Sequence, residues 1–153
     1  MLYPDFLELL HVFESHQVEY AIIGGYAVSI HAEPRYTKDL DILIIPSKKN
    51  AKAVLTALSA FGAPVDNLSA KELATPGLIY VFGIPPLRVD IINRIEGADS
   101  SKIIKRADVI QLSGVSARVV SYDDLIALKK IAGRAQDKAD IKSLEKGKKN
   151  SKL

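Results

Sequence analysis

One stretch constrains the fold of this 153-residue chain more than any other: Asp39-Leu-Asp-Ile-Leu-Ile-Ile45, closed by Pro46. Five of its seven residues are aliphatic and favour a buried strand, and proline stops the run. Side chains alternate along a strand, so Asp39 and Asp41 face one way while Leu40, Ile42 and Ile44 turn toward a core. Residues two apart on a strand are separated by roughly 6.5–7 Å, close enough for both carboxylates to serve one or two hard cations at oxygen distances of about 2.1 Å. A solvated strand edge is the plainer alternative. Against it, Asp is disfavoured in strands and two like charges on one face repel, which a cation between them relieves.

The rest of the chain alternates irregularly between helical and extended patterns, with no internal repeat. Phe6, Leu10 and Phe13 predict a helix over about 4–16, opened by Pro4. Val18–Ile23 reads as a strand, broken by Gly24-Gly25, with helical turns over Tyr26–His31 and a polar loop over 32–38. Ser47 caps a helix with its apolar stripe at Ala51, Val54, Leu55, Leu58 and Phe61, and Gly62 ends it. Residues 63–76 read as loop with one turn near Lys71-Glu72. Leu78–Phe82 and Leu87–Ile92 form a hairpin through Gly83-Ile-Pro-Pro86, and a short helix follows over 99–107. Val109–Leu112 and Val115–Val120 are two more strands; Ser121–Asp124 resembles a capping box, Gly133 breaks the helix after it, and a last helix runs over about 136–145. The expected fold class is α/β (α+β): a mixed β-sheet packed with helices, one domain over 1–145, and a flexible basic tail over 146–153.

Composition narrows the function classes. The absence of cysteine excludes a disulfide framework, thiolate metal sites and thiol catalysis, and fits a reducing cytoplasm. No run of 18 apolar residues predicts a membrane span, and no basic region ahead of an apolar stretch predicts a secretory signal. The net charge of +3 belongs to the C-terminus: residues 142–153 carry five lysines and one glutamate, leaving the body at −1. A near-neutral body argues against a broad RNA-binding face, and the lysines read as a solvated tail. The final Ser151-Lys-Leu153 matches a peroxisomal address, a short pattern that carries little weight.

Two further features converge on the acidic pair. Gly24-Gly25 sits at a strand end ahead of a helix, where glycine allows close backbone approach and free helix amides attract an anion; a tight turn is the plainer reading. In Leu87-Arg-Val-Asp-Ile-Ile92, Leu87, Val89 and Ile91 form the apolar face, so Asp90 lies opposite with Arg88, to which it can also simply pair. If this strand lies beside that of Asp39 and Asp41, three carboxylates cluster next to an anion-binding turn. Phosphoryl transfer needs that combination: cations clamping the reacting oxygens, and a backbone that holds phosphates.

The stretch Gly24-Gly-Tyr-Ala-Val-Ser-Ile-His-Ala-Glu-Pro-Arg35-Tyr-Thr37-Lys-Asp39-Leu-Asp41 resembles the signature of the DNA polymerase beta-like nucleotidyltransferase superfamily: a glycine pair or Gly-Ser, about a dozen residues, Asp-x-Asp, and a later acidic residue. It is especially similar to the small bacterial branch that includes toxin-type nucleotidyltransferases of abortive-infection toxin–antitoxin systems, in which Arg-x-Thr-x-Asp-x-Asp is typical. The stretch from Asp124 through Lys129 and Arg134 to Asp140 resembles that branch too, so the likeness covers roughly residues 18–145. Gly25 departs from the commoner serine and leaves the backbone amide to act alone.

The resemblance implies the nucleotidyltransferase fold and a Mg²⁺-dependent transfer of a nucleoside monophosphate from an NTP such as ATP to a hydroxyl acceptor. Asp39, Asp41 and Asp90 would hold one or two Mg²⁺ ions, with Asp90 helping to deprotonate the acceptor. Gly24 and Gly25 would cradle phosphates, with Arg35 and Thr37 shaping the loop and Arg35 in reach of the nucleotide. Lys129 is either a phosphate contact or a solvated helix lysine. Arg134, Asp137 and Asp140 share a helical face and suit a structural ion network better than nucleotide contact. His11 and His16 read as surface groups, and His31 as a possible cleft-lining residue. The acceptor stays open between a protein, a tRNA end and a small molecule such as an antibiotic, an antitoxin is a further partner the resemblance implies, and no membrane is expected. The competing class is a non-catalytic nucleotide- or partner-binding module on the same fold, which loss of a carboxylate would have favoured; all three are present.

Overall fold

The computed structural model describes residues 2–151. Its extended runs form one mixed sheet of six strands: β1 (Tyr20–Ile23), β2 (Leu40–Ile44), β3 (Ile79–Phe82), β4 (Val89–Ile92), β5 (Asp108–Leu112) and β6 (Val115–Val119), in the order β3-β4-β2-β1-β6-β5. The two hairpins read from the sequence lie at its two edges, β3/β4 at one and β5/β6 at the other, and both are antiparallel. The long connections create the parallel pairs, β2 with β4 and β1 with β6. β1 and β2 pair antiparallel across the short helix between them.

Among the described residues, seven helices pack around it: α1 (Pro4–Ser15), α2 (Gly24–His31), α3 (Lys48–Phe61), α4 (Ala70–Ala74), α5 (Ser100–Lys105), α6 (Tyr122–Ala132) and α7 (Ala135–Ser151). The face of β2 and β4 that carries Leu40 and Val89 meets α1 and α3: Phe6, Phe61, Phe82 and Val89 line one common cavity there. Phe6, Leu9, Leu10 and Phe13 of α1 and Val54 and Leu58 of α3 are fully buried with Leu40, Ile42 and Ile44. At about 25 cal/mol per Å² of apolar surface, each such side chain contributes roughly 1.5–3 kcal/mol to folding. On the opposite face, Ile23, Asp41 and Ile92 meet Leu125 and Leu128 of α6. Covered on both sides, β2 is buried at every position except Asp41.

The chain punctuation matches its chemistry. Ser47 accepts from the Asn50 amide, and Gly62 ends α3 at φ +98°, the left-handed region that suits glycine. Asn50 is itself buried and knits the Glu19 backbone to the Ile45 carbonyl, fixing β1 against the end of β2. Asn93, equally buried, accepts from the amides of Gly77 and Leu78 and donates to the carbonyls of Leu73 and Thr75. Those four bonds pin the end of β4, and with it Asp90.

Three expectations need correction. Ser121 does accept from the Asp124 amide, but Asp124 does not return the bond; its carboxylate takes Arg106 at 2.8 and 3.0 Å. The reciprocal capping box lies instead at Ser69 and Glu72, opening α4 where one helical turn near Lys71-Glu72 is expected. The basic tail expected from 146 onward, and with it the boundary at 145, falls inside α7, which continues through Ser151. Gly147 lies against Ala32, and the Lys148 ammonium sits 4.4 Å from the centre of the Tyr122 ring. Lys152 and Leu153, hence the terminal tripeptide reading, lie outside the described residues. Among the described residues no helix is long and apolar enough to cross a membrane.

Candidate active site

The sheet register assembles the acidic residues. Asp41 on β2 stands directly opposite Asp90 on the parallel neighbour β4, and opposite Ile23 at the end of β1 on its other side. Asp39 lies one residue before β2, and Arg88 joins it to Asp90: the Arg88 Nε is 3.0 Å from Asp90 Oδ1 and 3.6 Å from Asp39 Oδ2, and its Nη2 is 3.4 Å from Asp90 Oδ2. The simple Arg88–Asp90 pair weighed from sequence therefore forms, and it forms inside the carboxylate group rather than instead of it.

Immediately after β1, Gly24 opens α2 at φ +71°, and a Cβ there would overlap the Asp41 carboxylate. Glycine is required at this position on both counts. Gly25 has a different reason: a Cβ would meet the Thr37 methyl at 2.6 Å and the Arg35 guanidinium at 3.1 Å. Arg35 and Thr37 thus close over the turn, and the first amides of α2, which have no intrahelical acceptor, remain beside Asp41. A cavity of about 180 Å³ adjoins them, lined by Gly24, Asp41, Lys129 and Arg134 on its polar side and by Ile92, Ile95, Leu125 and Leu128 on its apolar side.

Lys129 is not a solvated lysine: it lines this cavity from a buried position. It is 6% exposed, and its ammonium lies 3.1 Å from Asp137 Oδ1 and 3.0 Å from Asp140 Oδ2. Arg134 closes on Asp137 at 2.7 Å and Arg35 on Asp140 at 2.9 Å. The ion network read from the helical spacing of Arg134, Asp137 and Asp140 is present, and it reaches across to the loop before β2. Burial alone would raise the Asp137 carboxyl; the bonds from Arg134 and Lys129 outweigh it and hold the group at about 2. In Asp140, too, bonds from Lys129, Gln136 and Arg35 overcome burial and lower the pKa. His31 bonds the Val120 carbonyl at 2.7 Å.

Electrostatics divides the carboxylates. Burial, then the charges of Asp90 and Asp39, push Asp41 up to about 7, with Lys129 and Arg88 opposing. Asp39 Oδ1 is buried without a hydrogen-bond partner. Three acids with one guanidinium between them, a neighbour driven toward protonation and an orphaned oxygen make a donor set of hard oxygen ligands that suits a divalent cation. As the side chains stand, no three metal-ligating groups among the described residues converge on one point; the Arg88 guanidinium lies between two of them.

The family described as nucleotidyl transferase of unknown function (DUF2204) matches residues 3–153, and the chain belongs to it. No curated protein matches the chain. Among solved structures, a Thermotoga maritima protein assigned as a nucleotidyltransferase is similar at a TM-score of 0.61 and 17% identity, covering 93% of each chain. A lincomycin-bound lincosamide antibiotic adenylyltransferase follows at 0.58 and 16%, covering 95% of this chain and 97% of its own. The aminoglycoside enzyme ANT(2")-Ia, in complex with adenylyl-2"-tobramycin, matches at 0.57 and 12%, covering 91% and 84%. The fold shared with these structures is the mixed sheet packed with helices expected from the sequence.

Two predictions follow from the charges. The native state keeps the Asp41 proton to about pH 7, whereas the unfolded chain releases it near 3.8, so this residue costs stability progressively as pH rises through that window. In metal-free buffer, Asp41→Asn should equal the native protein in urea denaturation at pH 4 and exceed it at pH 8 by on the order of 1–3 kcal/mol; a difference independent of pH would contradict this. Lys129→Met should leave Asp137 and Asp140 short of a buried cation and cost about 3 kcal/mol at neutral pH, whereas Lys130→Met on the exposed side of α6 should change stability by no more than about 0.5 kcal/mol.

Proposed function

We propose that this chain transfers a nucleoside monophosphate from an NTP to a hydroxyl acceptor, with Mg²⁺ held by Asp39, Asp41 and Asp90. The observation that carries the reading is the register of Asp41 against Asp90, with the Gly24 start of α2 packed against the Asp41 carboxylate. When bound, the ion supplies Lewis-acid polarisation of the phosphoryl group and a counter-charge for the oxygens between which it moves. The protein's own part begins with phosphate binding. The α2 amides donate to an anionic phosphate at a helix end of positive potential, and Gly24 lets that phosphate approach without a side chain in the way. Asp41 gives up its proton once counter-charge is present. Asp90 accepts the acceptor's hydroxyl proton, a contribution typically worth about 10²–10⁴-fold.

For Arg35 and Lys129 we favour a positioning part over the phosphate contact the resemblance implied. Each is committed to Asp140, so we assign them to holding the loop before β2 in place over Gly25 and the metal strand on its course. Thr37 serves the same loop. The apolar side of the cavity offers a surface for a base or sugar rather than for phosphate. Small-molecule hydroxyls are favoured as acceptors, since two neighbours on this fold carry a lincosamide and an adenylylated aminoglycoside. A toxin role with an antitoxin partner remains an extension of the sequence resemblance alone.

Incubation with each α-labelled NTP, Mg²⁺ and a cell lysate fractionated into small molecules, tRNA and protein tests the reading. Label should enter one fraction with release of pyrophosphate, cease on chelation, and fall by at least about 10²-fold in Asp41→Asn and Asp90→Asn. Undiminished labelling in either variant would overturn the assignment of that residue.

A further inference from the structure

We infer that Arg88 is the built-in counter-cation of the acidic trio, and that a divalent ion enters only as this guanidinium leaves, so that Arg88 sets the protein's affinity for the ion. The inference rests on the metal reading above.

The geometry is that of a competitor. Arg88 engages both oxygens of Asp90, at 3.0 and 3.4 Å, and one oxygen of Asp39 at 3.6 Å. Asp39 Oδ1 stays unpartnered, but Asp90 and the other Asp39 oxygen already carry the guanidinium, and a divalent ion drawn to the same carboxylates is repelled by that charge. Among the described residues, Asp39 and Asp90 are the carboxylates Arg88 pairs with. The other cations near the cleft are committed elsewhere: Lys129 and Arg134 to Asp137, and Arg35 to Asp140, with both aspartates buried. Arg88 differs from Lys129 in its freedom as well. Its side chain is 40% exposed, so it can swing into water without opening the core.

Placement on the strand explains why such a contact persists. Arg88 lies one residue before β4 and two before Asp90, so the pair forms within one local segment without help from any other element. Asp41, with no direct bond to the guanidinium, is left with like charges on either side. One monovalent cation therefore serves three acids incompletely, and a divalent ion serves them better. The exchange has a definite cost: apparent affinity equals intrinsic affinity reduced by the fraction of molecules in which Arg88 has already left.

Mn²⁺ titration of the full chain, with free Mn²⁺ read by electron paramagnetic resonance at low ionic strength, tests this directly. Asp41→Asn provides the blank. Arg88→Gln should bind Mn²⁺ about five- to twentyfold tighter than the native protein, and Arg88→Lys, which keeps the charge, should stay within about threefold of it. Equal or weaker binding by Arg88→Gln would overturn the inference while leaving the metal reading intact; no Mn²⁺ binding by the native protein beyond that of Asp41→Asn would overturn the metal reading itself, and this inference with it. A second measurement needs no variant. In ¹⁵N spectra of the arginine Nε–H groups, saturating Mg²⁺ should move the Arg88 signal to the position and fast exchange of a hydrated arginine, while that of Arg134, 2.7 Å from Asp137, stays in place. An Arg88 signal unchanged at saturation would contradict the exchange.

Discussion

Parallel pairing of β2 with β4 sets Asp41 directly against Asp90, and most of what is distinctive in this protein follows from that one adjacency. Two carboxylates on neighbouring strands repel, and burial in a sheet covered on both faces strengthens the repulsion. The molecule relieves it in three ways. Asp41 is driven toward its protonated form, Arg88 neutralises Asp90 and Asp39 from the solvent side, and Lys129 offers a more distant positive charge from below.

The second ionic assembly solves the opposite problem. Asp137 and Asp140 are buried as fully as any core residue, yet they remain charged because Lys129, Arg134 and Arg35 surround them. This network ties three distant parts of the chain together: the loop before β2, the body of α6, and the start of α7. Buried ion pairs contribute little net stability compared with a well-packed apolar core, but they are costly to break singly. Here they hold Arg35 and Thr37 over Gly25 and so fix the wall of the cleft. This assembly is fully paired, whereas the acidic group on β2 and β4 holds one guanidinium among three acids.

Much of this was legible in the sequence because it rests on local chemistry. Alternation along Asp39–Ile45 gave the orientation of the acids, and Ser47, Gly62 and Gly133 marked helix ends through capping and left-handed backbone that act within a few residues. The hairpin turns marked the strands on both edges. What could not be read depends on contacts between remote segments. Arg35 meets Asp140 across 105 positions, and Lys129 looked like any helix lysine until two buried aspartates turned toward it. Arg88 was visible as a partner for Asp90, but its contact with Asp39 needed the β2–β4 register. The helical course of residues 146–151 was missed because a lysine-rich stretch has no apolar stripe of its own; Gly147 against Ala32 and Lys148 over Tyr122 fasten it instead.

The proposal at the centre is spatial: a divalent ion and a nucleoside triphosphate would meet where Asp39, Asp41 and Asp90 lie beside the start of α2. Anomalous diffraction from crystals grown with Mn²⁺ and a non-hydrolysable NTP addresses it most directly. The account predicts a manganese peak among these three carboxylates, with the triphosphate against Gly24 and Gly25. A nucleotide bound elsewhere, or a triphosphate at the turn with no manganese beside Asp41, would contradict it.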